Sequence, residues 1–383
     1  MTPSGVMENS LRSHPSRSSR TARPRRMKVL HISPTYLSAH SVVGGAERYV
    51  HGLARAMSRK TETTLLSFGP RAFHTVEGEL RFCVHKPLGY IAGNRINPLA
   101  VSFVPEILKH DVIHCHQIFT FLTEMVLLVG SLLGRKVFVT DHGGGGRTFL
   151  RRLRLRRKAR GFLTVSQFSL SQLDLEGVPG AAINGGIEFD RFRPLPLTEK
   201  VAGRIVVLGR ILPHKGLHHL VEALWEEELI IVGIPTDPDY LSEVVAKAGS
   251  KRVRVVESAT DEEVVELLNS AQLAVFPSTR SGPDGHMLPG EPELFGQAPL
   301  EAMACGIPAL VSDVGSFPEI ALPDCPGLMF KEGDAQDLRE KMSTLMADVD
   351  GCVQLGERCL KHVRSTFTWD RTVARCLSAY EKL

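Results

Sequence analysis

Two glutamates, Glu293 and Glu301, are separated by seven residues in the stretch Glu293-Leu-Phe-Gly-Gln-Ala-Pro-Leu-Glu301-Ala-Met-Ala-Cys-Gly306. Phe295-Gly296 reads as the start of a helix that ends near Gly306. The free backbone N–H groups of a helix N-terminus favour an anion such as a diphosphate. At about 1.5 Å of rise per residue, eight helical positions would set the two carboxylates about 12 Å apart. That is the reach from a sugar ring across a diphosphate to a ribose, so the pattern fits a nucleotide-sugar with one acid on each set of hydroxyls. Arg210 and Lys215 lie five apart, between a strand and a helix. There they can place two positive charges on a departing diphosphate as its negative charge grows. Gly44 and Gly45 allow backbone to come close to a ligand. His142 follows a strand ending at Thr140-Asp141, where an imidazole can hydrogen-bond a sugar hydroxyl or support charge at a reacting centre.

Other chemistries lack their residues. His114 and His116 have no third ligand within sequence reach, and no Cys-x-x-Cys pair occurs among the seven cysteines. Asp237-Pro-Asp239 marks a turn. No metal site is therefore expected; Arg210, Lys215 and the helix N-terminus supply the charge a metal would, which predicts metal-independent catalysis without a cofactor. No pair of carboxylates flanks one bond as a glycosidase needs, and no covalent nucleophile stands out.

These residues must be positioned by alternating strands and helices. Lys28–Ser33, Asp111–His116 and Lys136–Thr140 read as strands; Gly44-Gly45-Ala46-Glu47 precedes a helical pattern through Met57, and Phe121–Leu133 reads as a helix. The pattern breaks at Arg193-Pro-Leu-Pro196 and restarts at Arg204–Gly209. Further strands follow at Leu229–Gly233, Val253–Val256, Leu273–Phe276 and Ala309–Ser312, with helices over Gly216–Trp225, Asp261–Ser270 and Pro299–Cys305. This alternation predicts an α/β protein of two doubly wound, Rossmann-like domains with the ligand in the cleft between them. The expected divisions are a disordered basic tail over 1–26, an acceptor-side domain over 27–195, a donor domain over 196–365 and a final segment over 366–383.

The segments, in order, resemble glycosyltransferase family four, retaining enzymes of the GT-B fold. The glutamate segment resembles that family's signature, Val207–Gly216 its phosphate clamp, Phe276-Pro277-Ser278 the strand end before its first glutamate, and Gly44-Gly-Ala-Glu47 its N-terminal glycine loop. Asn184–Glu188 with Phe192-Arg-Pro194 resembles the end of its first domain, and Phe367-Thr-Trp369-Asp370 through Tyr380 its last helix, which returns to that domain. The resemblance covers about residues 27–383. It implies that Glu293 holds donor-sugar hydroxyls, Glu301 the ribose, His142 lies near the donor sugar, and Gly44, Gly45, Phe295 and Gly296 approach the donor. It also implies attack by an acceptor hydroxyl on the face from which the diphosphate leaves, with a phosphate oxygen as base.

The implied function is a hexosyltransferase acting on a UDP- or GDP-sugar and a carbohydrate or lipid-linked acceptor, in polysaccharide or glycoconjugate biosynthesis. Two alternatives are another GT-B-like nucleotide-sugar enzyme, such as an epimerase, and a non-catalytic sugar-binding relic. The loop 279–292 is longer than the family's usual one and offers Asp284, His286 and Glu291 beside the sugar.

Composition bounds the rest. The 383 residues are 43% hydrophobic and 23% charged, which is globular composition. The net charge of +4 comes from the tail, whose six arginines face one acid, so a nucleic-acid binder is not expected. Scattered cysteines and the lack of an apolar leader point to a cytoplasmic protein. The apolar run Ile118–Leu133 is interrupted by Glu124 and suits a buried helix. Arg147–Arg160 holds eight cations and no acid beside Phe149, Leu150 and Leu153. As a basic amphipathic helix it would give peripheral contact with the inner membrane face or recognise an anionic acceptor.

Overall fold

The computed structural model describes Met1 and residues 26–37, 44–143 and 153–383. The tail expected over 1–26 lies outside them apart from its two end residues, as do residues 147–152 of the basic stretch.

The first half runs β1 (Lys28–Ile32), α1 (Gly45–Ser58), β2 (Glu62–Phe68), β3 (Phe73–Glu77), β4 (Leu80–His85), the short pair β5 (Gly89–Tyr90) and β6 (Pro98–Leu99), α2 (Val104–Lys109), β7 (Val112–His116), α3 (Phe121–Leu132), β8 (Lys136–Asp141), β9 (Gly161–Thr164), α4 (Gln167–Gln172) and β10 (Gly180–Ala182). The second half runs β11 (Arg204–Leu208), α5 (Leu217–Ala223), β12 (Glu228–Val232), α6 (Pro238–Ala248), β13 (Val253–Val256), α7 (Asp261–Ser270), β14 (Leu273–Phe276), α8 (Gln297–Ala304), β15 (Ala309–Ser312), α9 (Phe317–Ile320), β16 (Met329–Phe330), α10 (Ala335–Ala347), α11 (Val349–Thr366) and α12 (Trp369–Lys382).

The strands assort into two main sheets. One has the order β10-β9-β8-β7-β1-β2-β4-β3, with only the β3–β4 pair antiparallel; the other has the order β13-β12-β11-β14-β15-β16 and is parallel throughout. Central strands buried on both faces explain their continuous apolar runs, such as Leu229-Ile-Ile-Val232 and Leu273-Ala-Val-Phe276. Strand order reverses at β1/β7 in the first sheet and at β11/β14 in the second. Crevices open at the carboxyl ends of strands at such reversals. Gly209–Arg210, Pro277–Ser278 and Gln117, just beyond β7, therefore fall where a ligand can enter.

The connection between the sheets is fixed in place. Asn269 accepts from the Leu195 N–H at 2.8 Å and donates to the Arg193 carbonyl at 3.1 Å. The last helix, α12, packs against the first half: Lys136 Nζ donates to the Tyr380 carbonyl at 2.9 Å, and the Trp369 ring lies 5.4 Å from that of Tyr49 on α1. Among the described residues no helix is long and apolar enough to cross a membrane.

Gly186 faces the start of α12 so closely that a methyl group there would overlap the Trp369 backbone nitrogen and ring. Backbone cannot yield as a flexible side chain does. Gly186→Ala is expected to lower unfolding stability by about 1–3 kcal/mol, read as a shift in the urea midpoint.

Candidate active site

A cavity of ≈ 1560 Å³ lies between the two halves. Gly44, Gly45, His142, Arg210, Lys215, Glu293, Phe295 and Gly296 all line it; Glu301 does not.

The donor-side wall is built on β11, β14 and α8. Beyond β11 the chain turns through Gly216 at φ +62°, and a side chain there would collide with the Pro277 carbonyl at the end of β14. This close approach brings Lys215 over the neighbouring strand end. Lys215 Nζ lies 2.6 Å from Glu293 Oε1, which also accepts from Ser278 Oγ at 2.6 Å. Glu293 is almost buried, and Arg210 beside it is exposed. α8 begins after Gly296 at φ +85°, and its first residues, Gln297 to Pro299, face the cavity. The start of α8 and the cations Lys215 and Arg210 line the same cavity, a combination suited to an anion.

Glu293 precedes α8 rather than lying on it, so no eight-position helical ladder separates the two acids. Glu301 lies one helical turn after Gln297, is 6% exposed, and accepts from Gln297 Nε2 at 3.2 Å. Burial pushes its pKa up to about 7, against the opposing pull of Arg48 and Arg191. Both arginines pair with Asp261 at the start of α7, Arg48 at 3.0 Å. Arg48 is on α1, so this cluster ties the two halves together. Sequence reading missed it: Arg48 and Asp261 are 213 residues apart, and no spacing rule joins them.

The opposite wall carries the Gly44–Gly45 turn and His142. The Gly44–Gly45 turn is braced by Glu47, which accepts from the Gly44 N–H at 2.9 Å and from Thr35 Oγ1 at 2.6 Å. His142 lies against Tyr49, ring centroids 4.8 Å apart, and its Nε2 is 3.1 Å from His116 Nδ1. Burial lowers the His142 pKa to about 3. Tyr49 also meets Phe295, with centroids 6.3 Å apart, which places it between both halves of the site.

Three expectations need correction. A third histidine does join His114 and His116: His31 lies opposite His114 in the β1–β7 register, and the three offer nitrogens within 4.8 Å of one another. Both His114 nitrogens are already engaged at 2.7 Å, by Tyr380 and Thr140, which leaves the trio better suited to hydrogen bonding than to a metal. Asp237 is the N-cap of α6, accepting from the Tyr240 N–H at 3.0 Å, rather than part of a free turn. The described end of the basic stretch is a single 3₁₀ turn, Leu155–Lys158, rather than an amphipathic helix. Arg154, Leu155 and Arg156 line the cavity, and the Arg156 guanidinium stacks 5.6 Å from the Phe119 ring centroid. In the loop 279–292, Glu291 reaches the cavity, whereas Asp284 and His286 pair with each other in solvent.

A family model described as "Glycosyl transferases group 1" matches residues 190–362, and one described as "Glycosyltransferase Family 4" matches residues 43–191. A D-inositol 3-phosphate glycosyltransferase of Corynebacterium efficiens is 27% identical over 202 residues, covering 49% of this chain and 44% of that protein. The chain spans about half the length of the curated relatives it matches. Among solved structures, Anabaena HepE in complex with UDP and glucose superimposes with a TM-score of 0.68 at 18% identity, over 93% of this chain and 100% of that one. The catalytic domain of starch synthase IV from Arabidopsis thaliana, bound to ADP and acarbose, gives 0.71 at 14% identity, over 94% and 99%. These likenesses establish the GT-B fold for the two facing sheets.

The raised Glu301 pKa has a consequence for stability. The folded state holds this proton up to about pH 7, whereas the unfolded carboxyl releases it near 4.5. The associated stability is present below pH 4.5 and is lost as pH rises toward 7, by up to about 3 kcal/mol. Glu301→Gln is expected to flatten that decline, measured by urea unfolding at stepped pH.

Proposed function

Because this chain belongs to glycosyltransferase family four, we propose that it moves a hexosyl group from a nucleotide-diphosphate sugar to an acceptor hydroxyl, with retention at the anomeric carbon. The observation that carries this reading is the Lys215–Glu293–Ser278 contact beside the N-terminus of α8, on the wall of a cavity between two Rossmann-like sheets. It joins a hydroxyl-orienting carboxylate to an anion site within one short stretch of surface.

Arg210, Lys215 and the first-turn N–H groups of α8 hold the diphosphate. Glu293, fixed by Lys215 and Ser278, orients donor-sugar hydroxyls. The bond from the anomeric carbon to the phosphate oxygen breaks while the acceptor oxygen bonds to that carbon on the same face. The acceptor proton passes to the departing phosphate oxygen. Two cations and a helix terminus provide the charge stabilisation for this step, so the reaction runs without a metal.

The donor is a UDP- or GDP-sugar, and the acceptor a carbohydrate or lipid-linked carbohydrate received on the wall of Phe119, Leu155 and Arg156. Neighbours of this fold bind UDP with glucose and ADP with acarbose, which supports a nucleotide-sugar and a carbohydrate as partners. Seven unpaired cysteines fit a cytoplasmic setting for polysaccharide or glycoconjugate assembly.

The test is thermal-shift screening against UDP-, GDP- and ADP-sugars, followed by transfer assays with the stabilising donor. One donor is expected to raise the Tm equally with Mg²⁺ or EDTA, and Arg210→Ala with Lys215→Ala to abolish the shift. Glu293→Gln is expected to reduce kcat by about 10²–10³-fold, the cost of removing one preorganised polar contact. Donor conversion to an epimer without acceptor, or no conversion at all, overturns the reading.

A further inference from the structure

Four histidines meet at the carboxyl edge of the first sheet, and three of them form a chain. His31 on β1 and His116 on β7 are buried, at 0% and 1% exposure. His116 Nδ1 is 3.1 Å from His142 Nε2, and His116 Nε2 is 3.0 Å from His31 Nδ1. The other nitrogen of His31, Nε2, is buried with no partner among the described residues. Burial holds all three pKa values far below the usual histidine range, so each ring is neutral and carries one proton.

A neutral imidazole has one donor and one acceptor nitrogen. Two successive imidazole–imidazole bonds must therefore point their protons the same way. In one direction the protons sit on the three Nε2 atoms, and His31 is left with a buried N–H that has nothing to donate to. In the other they sit on the three Nδ1 atoms, and His31 Nε2 is left as a bare lone pair. An orphaned buried N–H is the rarer and costlier of the two, and leaving one unsatisfied costs about 1–3 kcal/mol. The chain thus ends with the proton of His142 on Nδ1, the nitrogen that His116 does not engage.

We propose that His116, terminated by His31, is a positioning residue that holds His142 as its Nδ1–H tautomer, so that His142 donates a hydrogen bond to an oxygen of the bound donor sugar and cannot serve as a base. His116 donates from Nδ1 to His142 Nε2 and accepts at its own Nε2 from His31 Nδ1–H. The lone pair that a base would need is thereby occupied inside the protein. This agrees with a reaction in which the departing phosphate, not an imidazole, takes the acceptor proton. The kinetic arm of the test rests on the proposed transfer activity; the spectroscopic arm does not.

Long-range proton–nitrogen NMR of histidine-labelled protein reports each tautomer directly. In the wild-type protein His142 is expected as Nδ1–H. His116→Asn places an amide donor where His116 Nδ1–H stood and is expected to keep that signature and near wild-type kcat. His116→Leu removes the donor; the His142 signal is expected to move toward Nε2–H, and kcat to fall about tenfold with donor KM little changed, the effect of losing one oriented hydrogen bond. A wild-type signature of Nε2–H at His142, or an unaltered tautomer in a folded His116→Leu protein, overturns the proposal. If His116→Leu does not fold, the wild-type spectrum alone decides. Loss of transfer by the wild-type protein would count against the proposed function and leave the tautomer result standing.

Discussion

The contact between Lys215 Nζ and Glu293 Oε1, 2.6 Å apart in a nearly buried pocket, sets the terms for the rest of the donor wall. A carboxylate withdrawn from water needs a cation and hydrogen-bond donors in place of the water it has lost. Lys215 and Ser278 meet that need, and both must be brought to one point from different strand ends. Gly216 allows the β11 turn to press on the Pro277 carbonyl, which closes the distance. The loop carrying Glu293 is held from the other side by its own backbone: the Ser316 N–H donates to the Glu293 carbonyl at 3.1 Å. Several weak constraints thus converge on one side chain, and none of them is local in sequence.

The same loop is where the two halves meet. Ser166 Oγ, the residue capping α4, donates to the Leu294 carbonyl at 2.6 Å, one residue beyond Glu293. Glu319 on α9 accepts from the Gln167 N–H at 2.9 Å and from the Phe168 N–H, so a carboxylate of one half caps a helix of the other. With the Arg48–Asp261 pair on the opposite flank, the halves touch on both sides of the cavity. These contacts are polar and partly exposed, so each contributes little alone and can reform after separation. An interface of this type suits a cleft whose two walls can part and close again.

The elements that sequence reading located well are those fixed by local rules. Alternating β-branched runs and amphipathic stretches gave the two sheets, and Asp261–Ser270 emerged with its bounds because Thr260 and Glu263 form a capping box. The residues that line the cavity were legible because they sit at strand ends, and strand ends are visible as apolar runs that stop. The distance from Glu293 to Glu301 could not be read from spacing, because the seven intervening residues include a loop and a left-handed glycine before α8 begins. His31 was missed because its partners come from a strand whose neighbour is chosen by the fold, not by the chain. Tyr49, between His142, Phe295 and Trp369, reads in sequence as one more apolar position on α1.

The two walls of the cavity differ in electrostatic character, and the difference has a physical logic. On the donor side, formal charge is left near solvent: Arg210 is exposed, and Lys215 is about one quarter exposed at 24%. On the other side, burial strips the charge from His31, His114, His116 and His142, leaving oriented dipoles. Of these four rings only His142 lines the cavity, where Arg154 and Arg156 bring formal charge to the same wall. Both nitrogens of His114 and of His116 are engaged inside the protein, which leaves His142 as the ring of the four that faces the cavity. The cavity thus pairs exposed formal charge beyond β11 with one oriented, uncharged imidazole beyond β8.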